Sequence, residues 1–450
     1  MMVGKARFGV LAVMMLAAAC APGTAGMSTS AASEAARLDA VMQALPLASA
    51  SPAPPDGIHN AVVVIEDRAR SLVYAKGVGA ARESRPETIT AKDQFPIASV
   101  TKTMTATVIL QLLEEGKLGA KGIETTLGSL GVFEPAVLDR LMTFEGRAYG
   151  SSLTIRQLLA HQSGLRDVFM DDANLTSDQN RGDAAPSSFG GVLLGVLGEH
   201  RKCLETPGCD VSALMTGKNW NPWDPSRPGD PQAGVLNFYL SYKGGATNGL
   251  FAPGQGYHYS DTGYIILGLV IEKLTGDTLH EAYRKRLFDP LGLKRTYLEY
   301  ATKPATAPYE ESAADFYIGD FPGRTGRFNI SFDWAGGGVV STAEDLNRFI
   351  RALGEGRLFG KAETLALMTS PQWRETRGDL VVERGLGVSR LTAPDGVSYF
   401  GHTGFWGAIM LYEPGTGISL GGTLNQVGHN PAPWAIDLLR AARPREAATN

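Results

Sequence analysis

The β-rich stretches of this chain stand at its two ends, and that separation governs what the chain can fold into. "AVVVIED" (61–67) and "SLVYAKGVG" (71–79) flank a short polar turn and read as a hairpin. "FWGAIMLYEPGTGISLGGTLN" (405–425) reads as strand, Pro-Gly turn, strand. Between them the periodicity is helical. Apolar residues fall at 104, 108, 109, 112 and 113, "LTIRQLLAHQSGL" predicts a helix stopping at Gly164, and "TGYIILGLVIEKLTG" predicts another ending at Gly276. "PWAIDLLRAA" supplies a closing helix. Terminal strands separated by roughly 300 residues most economically join one antiparallel sheet with the intervening helices packed beside it. The expected class is α/β in the α+β sense, a sheet flanked by helices plus a mostly helical lobe.

The N-terminus is set apart from this body. In "MMVGKARFGVLAVMMLAAAC", Lys5 and Arg7 precede an apolar run, Phe8 to Ala19, that ends on small residues, the pattern of a secretory signal peptide over residues 1–20. Cys20 after "LAAA" resembles the lipidated cysteine of a bacterial lipoprotein signal, with the leucine one place early. Lipidation at Cys20 and plain cleavage are the two readings, and both imply export to a bacterial periplasm or its membranes. Residues 21–57, rich in Ala, Ser, Pro and Thr, read as a flexible tether with a short helix at 34–44. The folded unit is expected over 58–445.

Within it, 167–250 is unusual. "NWNPWDPSRPGDPQAG" is dense in Pro, Gly, Asp and Trp and reads as long loops beside a site rather than as a separate domain. Cys203 and Cys209 in "CLETPGC" bracket a turn-prone Thr-Pro-Gly and, in an exported protein, form a candidate disulfide. They do not make a zinc site, which normally wants four ligands where only His200 stands nearby. A net charge of −4 leaves no basic surplus for nucleic acid.

The chemistry is carried by a constellation in chain order. Ser99-Val100-Thr101-Lys102 opens a helical run, "YSDTGY" follows at 259–264, and "GHTGFWG" at 401–407 opens a strand. A serine at a helix N-terminus lies among unpaired N–H groups and the positive end of the dipole. Lys102 at i+3 shares its face, and a buried lysine loses solvation and can accept the hydroxyl proton. Tyr259 is the expected second proton carrier, provided a neighbouring cation lowers its pKa. These motifs resemble the serine β-lactamase and penicillin-binding-protein superfamily, and within it the class C β-lactamase, D-aminopeptidase and esterase branch, with its Ser-x-x-Lys, Tyr-x-Asn and Lys/His-x-Gly signatures. "LTIRQLLAHQSGL", "LGLVIEKLTG", "DPLGLKRT" and "AGGGVVSTAEDLNRF" add to the likeness.

The resemblance implies a β-lactamase/transpeptidase-like fold and an acyl-Ser99 intermediate. It also implies an oxyanion hole from the backbone N–H groups of Ser99 and Phe405, a substrate-binding edge of His402, Thr403 and Gly404, and neither metal nor organic cofactor. Its expected substrates are small esters or amides; β-lactams or peptidoglycan peptides form the alternative, and a non-catalytic envelope protein is the alternative of another class. Two positions depart from the pattern. Asp261 stands where Asn is usual, and an anion there pairs with Lys102, raises its pKa and hands the base role to Tyr259. The other reading is that Asp261 only accepts the hydrogen bonds of an Asn oxygen. His402 stands for the lysine of Lys-Thr-Gly, giving an imidazole neutral at pH 7 that acid is expected to charge in part towards pH 6. That change resembles the esterases and D-aminopeptidases. His161 is expected to be a structural hydrogen-bonder and His258 to line or pack beside the pocket. "AGGGVV" (335–340) lacks a phosphate loop's Gly-Lys-Ser/Thr ending and reads as a tight turn into a strand. The G-x-S-x-G and H-E-x-x-H motifs are both missing from the sequence.

Overall fold

The computed structural model describes residues 29–50, 57–171, 221–241, 249–299, 313–326, 328 and 330–444. Cys20, Cys203, Cys209 and most of the 167–250 stretch lie outside them. The strands from the two ends meet as expected. The main sheet is built from β1 (Asn60–Asp67), β2 (Leu72–Arg82), β3 (Arg85–Thr88), β4 (Trp373–Arg377), β5 (Leu380–Arg384), β6 (Ser389–Thr392), β7 (Ser398–Thr403), β8 (Ala408–Tyr412) and β9 (Ser419–Thr423). Their order is β4-β5-β6-β7-β8-β9-β1-β2-β3, antiparallel throughout. The first strand pairs with the last, Val62 opposite Thr423 and Glu66 opposite Ser419. Hairpins close β1–β2 at Asp67 and Leu72, and β8–β9 at Tyr412 and Ser419.

The apolar run in β1 is explained by burial on both faces. Val62 and Val64 enter one core with α2 (Thr101–Glu114), α3 (Asp261–Thr275) and α4 (Ala343–Gly354). Ala61, Val63 and Ile65 enter the other, with α1 (Thr29–Gln43) and α5 (Ala432–Ala441). Successive strand side chains point to opposite faces, so a strand with helices on both sides has no polar face to show.

The helix expected at 34–44 is α1, and it corrects the tether reading for its part of 21–57. Leu38 and Met42 are fully buried. Arg37 donates from Nε to the carbonyl of Ala441 (3.1 Å) and from Nη2 to that of Arg443 (2.9 Å). Arg70 reaches back to Glu34 at 2.7 Å. The segment is folded because its apolar face has the C-terminal helix to lie on.

The helix after Ser99 is buried almost all round rather than on one stripe, with Thr101, Thr103, Thr105 and Thr107 inside. Threonine is tolerated there because each hydroxyl finds a backbone partner. Thr103 donates to Gly387 O (2.7 Å), Thr105 to Ala335 O (2.6 Å) and Thr107 to Thr103 O (2.7 Å), while Thr101 Oγ1 accepts from Val339 N–H (3.2 Å). The helix expected to stop at Gly164 is shorter. It runs Ile155–Leu159, opens with a Thr154/Gln157 capping box and ends before His161, whose φ is +59°. Gly276 closes α3 in the left-handed conformation, as its sequence implies. Among the described residues, no helix is long and apolar enough to cross a membrane.

Candidate active site

The segment before Ser99 is held on two sides. Phe95–Pro96 pairs with Val339–Ser341 in a small three-stranded sheet, and Ile97 N–H donates to Val339 O at 3.0 Å. Ala98 then takes φ +44°, a conformation non-glycine residues seldom adopt, and a 3₁₀ turn over Ala98–Val100 leads directly into α2. Ser99 therefore sits where the helix starts.

Lys102, one turn on, is fully buried. Its Nζ donates to Ser99 Oγ (3.1 Å) and to Gly336 O (2.8 Å), and makes a short ion pair with Asp261 Oδ1. Three acceptors thus match the three N–H donors of an ammonium. Burial works to lower the Lys102 pKa, but the charge of Asp261, aided by Tyr259 and Asp333, outweighs it and holds the value well above normal. The ammonium also lies 4.9 Å from the Tyr259 ring centroid and 5.5 Å from that of Tyr264. Burial pushes the Tyr259 hydroxyl up and the Asp261 charge adds to it, while the Lys102 charge pulls the other way.

The start of α3 is pinned so that Tyr259 and Asp261 face this lysine. Ser260 Oγ and Thr262 Oγ1 both donate to Arg166 O, at 3.0 and 2.8 Å, and Tyr264 OH donates to Leu159 O at 2.9 Å. His161 has the structural role expected of it. Its Nδ1 accepts from Ser260 N–H (3.0 Å) and its ring stacks on Tyr259, centroids 4.2 Å apart. Burial and then the Lys102 charge hold it well below its ordinary pKa, so the ring is neutral. His258 points to Asp171, Nε2 to Oδ2 2.6 Å.

On the opposite wall, β7 delivers His402 and Thr403, and Gly404 follows its end. A Cβ at Gly404 would fall 2.2 Å from Ile97 O, so only glycine lets this strand end press against the segment bearing Ser99. Phe405 follows directly, and among the described residues its N–H meets no acceptor. Its side chain is 57% exposed and packs edge-on against Trp406. His402 differs from expectation. It is buried, its Nδ1–H donates to Thr403 O (2.7 Å), and burial followed by the Lys102 charge pushes its pKa down to about 3. Mild acid is not expected to charge it, because burial disfavours the imidazolium and the Lys102 charge adds to that penalty.

A family model described as Beta-lactamase matches residues 55–442. The chain belongs to this family. As a Beta-lactamase family member it is similar to the serine beta-lactamase-like protein LACTB, mitochondrial, of Mus musculus, 24% identical over 339 residues. That match takes in 66% of this chain and 57% of the relative. It is similar also to a D-aminopeptidase of Cereibacter sphaeroides, 25% identical over 283 residues, 61% of this chain and 39% of the relative. The chain thus spans only about half the length of these relatives. Its fold is that of a D-stereospecific amidohydrolase from Streptomyces sp., with TM-score 0.62, 24% identity, and 92% of this chain and 99% of the other covered.

Three parts of the site were not picked out from the sequence. Asp333 lies against Gly336 and Gly337. Tyr257 stacks on Trp373, centroids 5.6 Å apart. Arg384, held by Glu375 (2.7 Å) and Ser389 (2.8 Å), projects its charge onto Tyr257, Tyr259 and His402. The "FDW" before the glycine run was a usable signal for Asp333, an acid adjoining a backbone that must pack closely. Among the described residues no group of His, Cys, Asp and Glu is arranged to hold a metal.

Proposed function

We propose that this protein is a serine hydrolase that cleaves small ester or amide substrates through an acyl-Ser99 intermediate. The observation that carries the reading is the convergence on Lys102 Nζ of Ser99 Oγ, Asp261 and the Tyr259 ring, at the start of α2, where the 3₁₀ turn leading into the helix bears Ser99. In the resting site both Lys102 and Tyr259 hold protons. Asp261 retains the lysine proton, so the active form is the one in which Tyr259 has lost its own and the ammonium steadies the phenolate.

Ser99 Oγ attacks the substrate carbonyl and its proton passes to Tyr259. The carbonyl oxygen becomes an oxyanion, received by the N–H groups of Ser99 and Phe405. Tyr259 then gives that proton to the departing alkoxide or amine as the carbonyl bond to it breaks. A water repeats the sequence: its proton goes to Tyr259, its oxygen attacks the acyl carbon, and Ser99 leaves and recovers a proton. His402 is neutral and offers no cation to a β-lactam carboxylate, which favours esters and amides over β-lactams. The D-aminopeptidase relative points to amides of D-amino acids as the first amide series to try. The signal-like N-terminus supports an exported enzyme.

Ser99→Ala tests this reading. It should abolish p-nitrophenyl butyrate hydrolysis, by roughly 10³-fold or more, with an unchanged circular dichroism spectrum. Activity near wild type would refute the acyl-Ser99 route.

A further inference from the structure

Asp333 occupies a position built around its carboxyl group. A Cβ at Gly336 would fall 2.4 Å from Asp333 Oδ1 and 2.9 Å from Asp261 Oδ1, so both carboxyl groups lie over one glycine. The carbonyl of that same glycine takes a hydrogen bond from Lys102. A Cβ at Gly337 would fall 1.7 Å from Asp333 Oδ2. The next residue, Trp334, is held at φ +38°, and its indole is wedged where a Cβ at Gly268 of α3 would lie 2.5 Å away. Strained backbone of this kind persists only where its surroundings hold it.

Asp333 Oδ1 is sealed from solvent and receives no N–H or O–H from any other described residue. As carboxylates, Asp333 and Asp261 are acceptors only, and two such groups side by side repel. One proton between them turns the repulsion into a hydrogen bond. The groups facing this pair are Lys102 from α2, Tyr259 just before α3, Tyr264 within it and Tyr283 from the helix Leu279–Tyr283, with Asp167 adjoining Asp261. Lys102 is the cation among them, and Asp261 already engages it.

We propose that Asp333 is a positioning residue that works through Asp261: its carboxyl is protonated and donates to Asp261, so that Asp261 divides its charge between Asp333 and Lys102. The inference rests on the Ser99–Lys102–Tyr259 reading above. Burial first, and then the charge of Asp261, raise the Asp333 carboxyl well above the usual range, in agreement with that protonation. The consequence is functional. Without the Asp333 proton, Asp261 would bear wholly on Lys102 and Tyr259 and hold their protons more tightly. Asp333 thereby moderates the acid that stands where the family has an amide.

The test compares Asp333→Asn, which keeps a donor to Asp261, with Asp333→Leu, which removes it. The acidic limb of kcat/KM for p-nitrophenyl butyrate should stay in place in Asp333→Asn. In Asp333→Leu it should move up by about one pH unit. In the Asp261→Asn background, adding Asp333→Leu should move nothing, since no charge remains to be divided. Difference infrared spectra of wild type against Asp333→Asn at pH 7 should show the C=O stretch of a protonated carboxyl, an arm that needs neither turnover nor a folded leucine variant. An unmoved limb in Asp333→Leu, an equal shift in both variants, or no protonated-carboxyl band would overturn the proposal. Labelling of wild type by a fluorophosphonate that is lost in Ser99→Ala checks the underlying reading separately, and its failure would leave the infrared result standing on its own.

Discussion

Replacing His402 by asparagine removes an imidazole that the fold holds near pKa 3, against an unfolded value of about 6.5. Between those values the unfolded chain binds a proton there and the native protein does not. A base with a depressed native value contributes stability that is complete above about pH 6.5 and is lost as the pH falls towards 3. At pH 5 the gap is about 1.5 pH units, and at about 1.4 kcal/mol per unit the loss from this residue is about 2 kcal/mol. Urea unfolding followed by tryptophan fluorescence at pH 7 and pH 5 measures it. Wild type should lose about 2 kcal/mol more over that interval than His402→Asn, which retains an N–H for Thr403 O. His161, also held neutral by burial, is present in both proteins and cancels in the difference. Equal losses would refute the buried, neutral imidazole. So would a ratio of nitrocefin to p-nitrophenyl butyrate turnover that climbs between pH 8 and 6, because only a charged His402 would favour the β-lactam carboxylate.

Asp261→Asn should shift the acidic limb of the pH–rate profile down by about one pH unit, since the charge that raises the Lys102 and Tyr259 values is gone. A fixed limb would make Asp261 only a hydrogen-bond acceptor. Gly404→Ala places a methyl against Ile97 O and displaces Phe405, so kcat/KM should fall about 10²-fold, as for loss of one oxyanion donor, with KM little changed. Leu38→Ala in α1 should cost about 2–5 kcal/mol in urea unfolding at pH 7; a cost below about 0.5 kcal/mol would return that helix to the tether.

What the sequence revealed and what it concealed divide along physical lines. The sheet was legible because β1 and β8 carry apolar runs that have to be paired somewhere, and Ser99–Lys102 because i and i+3 share a helix face whatever surrounds them. The burial of Thr101–Thr107 was not legible. Threonine reads as polar until Ala335, Gly387 and Val339, all more than 200 residues away, supply its partners. The early end of the Ile155–Leu159 helix was hidden for a like reason, since His161 leaves helical geometry to stack on Tyr259, a residue from another segment. His402 looked titratable because an isolated imidazole is; the Lys102 ammonium and the closed wall around it are tertiary facts. Asp333 was passed over because nothing within its own segment says that the helix opposite will present a second carboxyl.

The pairing of the first strand with the last makes the order of synthesis matter. When β1 and β2 have formed their hairpin, the free edge of β1 is waiting for residues 419–423. Until those arrive, a row of unpaired N–H and C=O groups flanked by Val62, Val63 and Val64 is open to any extended chain. Contacts of such long sequence separation form late and slowly. A chain halted short of residue 419 therefore has its Ser99 segment made but its central sheet unclosed, and it is a candidate for aggregation or for capture by chaperones rather than a smaller active enzyme. Supplying residues 405–444 as a separate fragment offers that open edge its native neighbour.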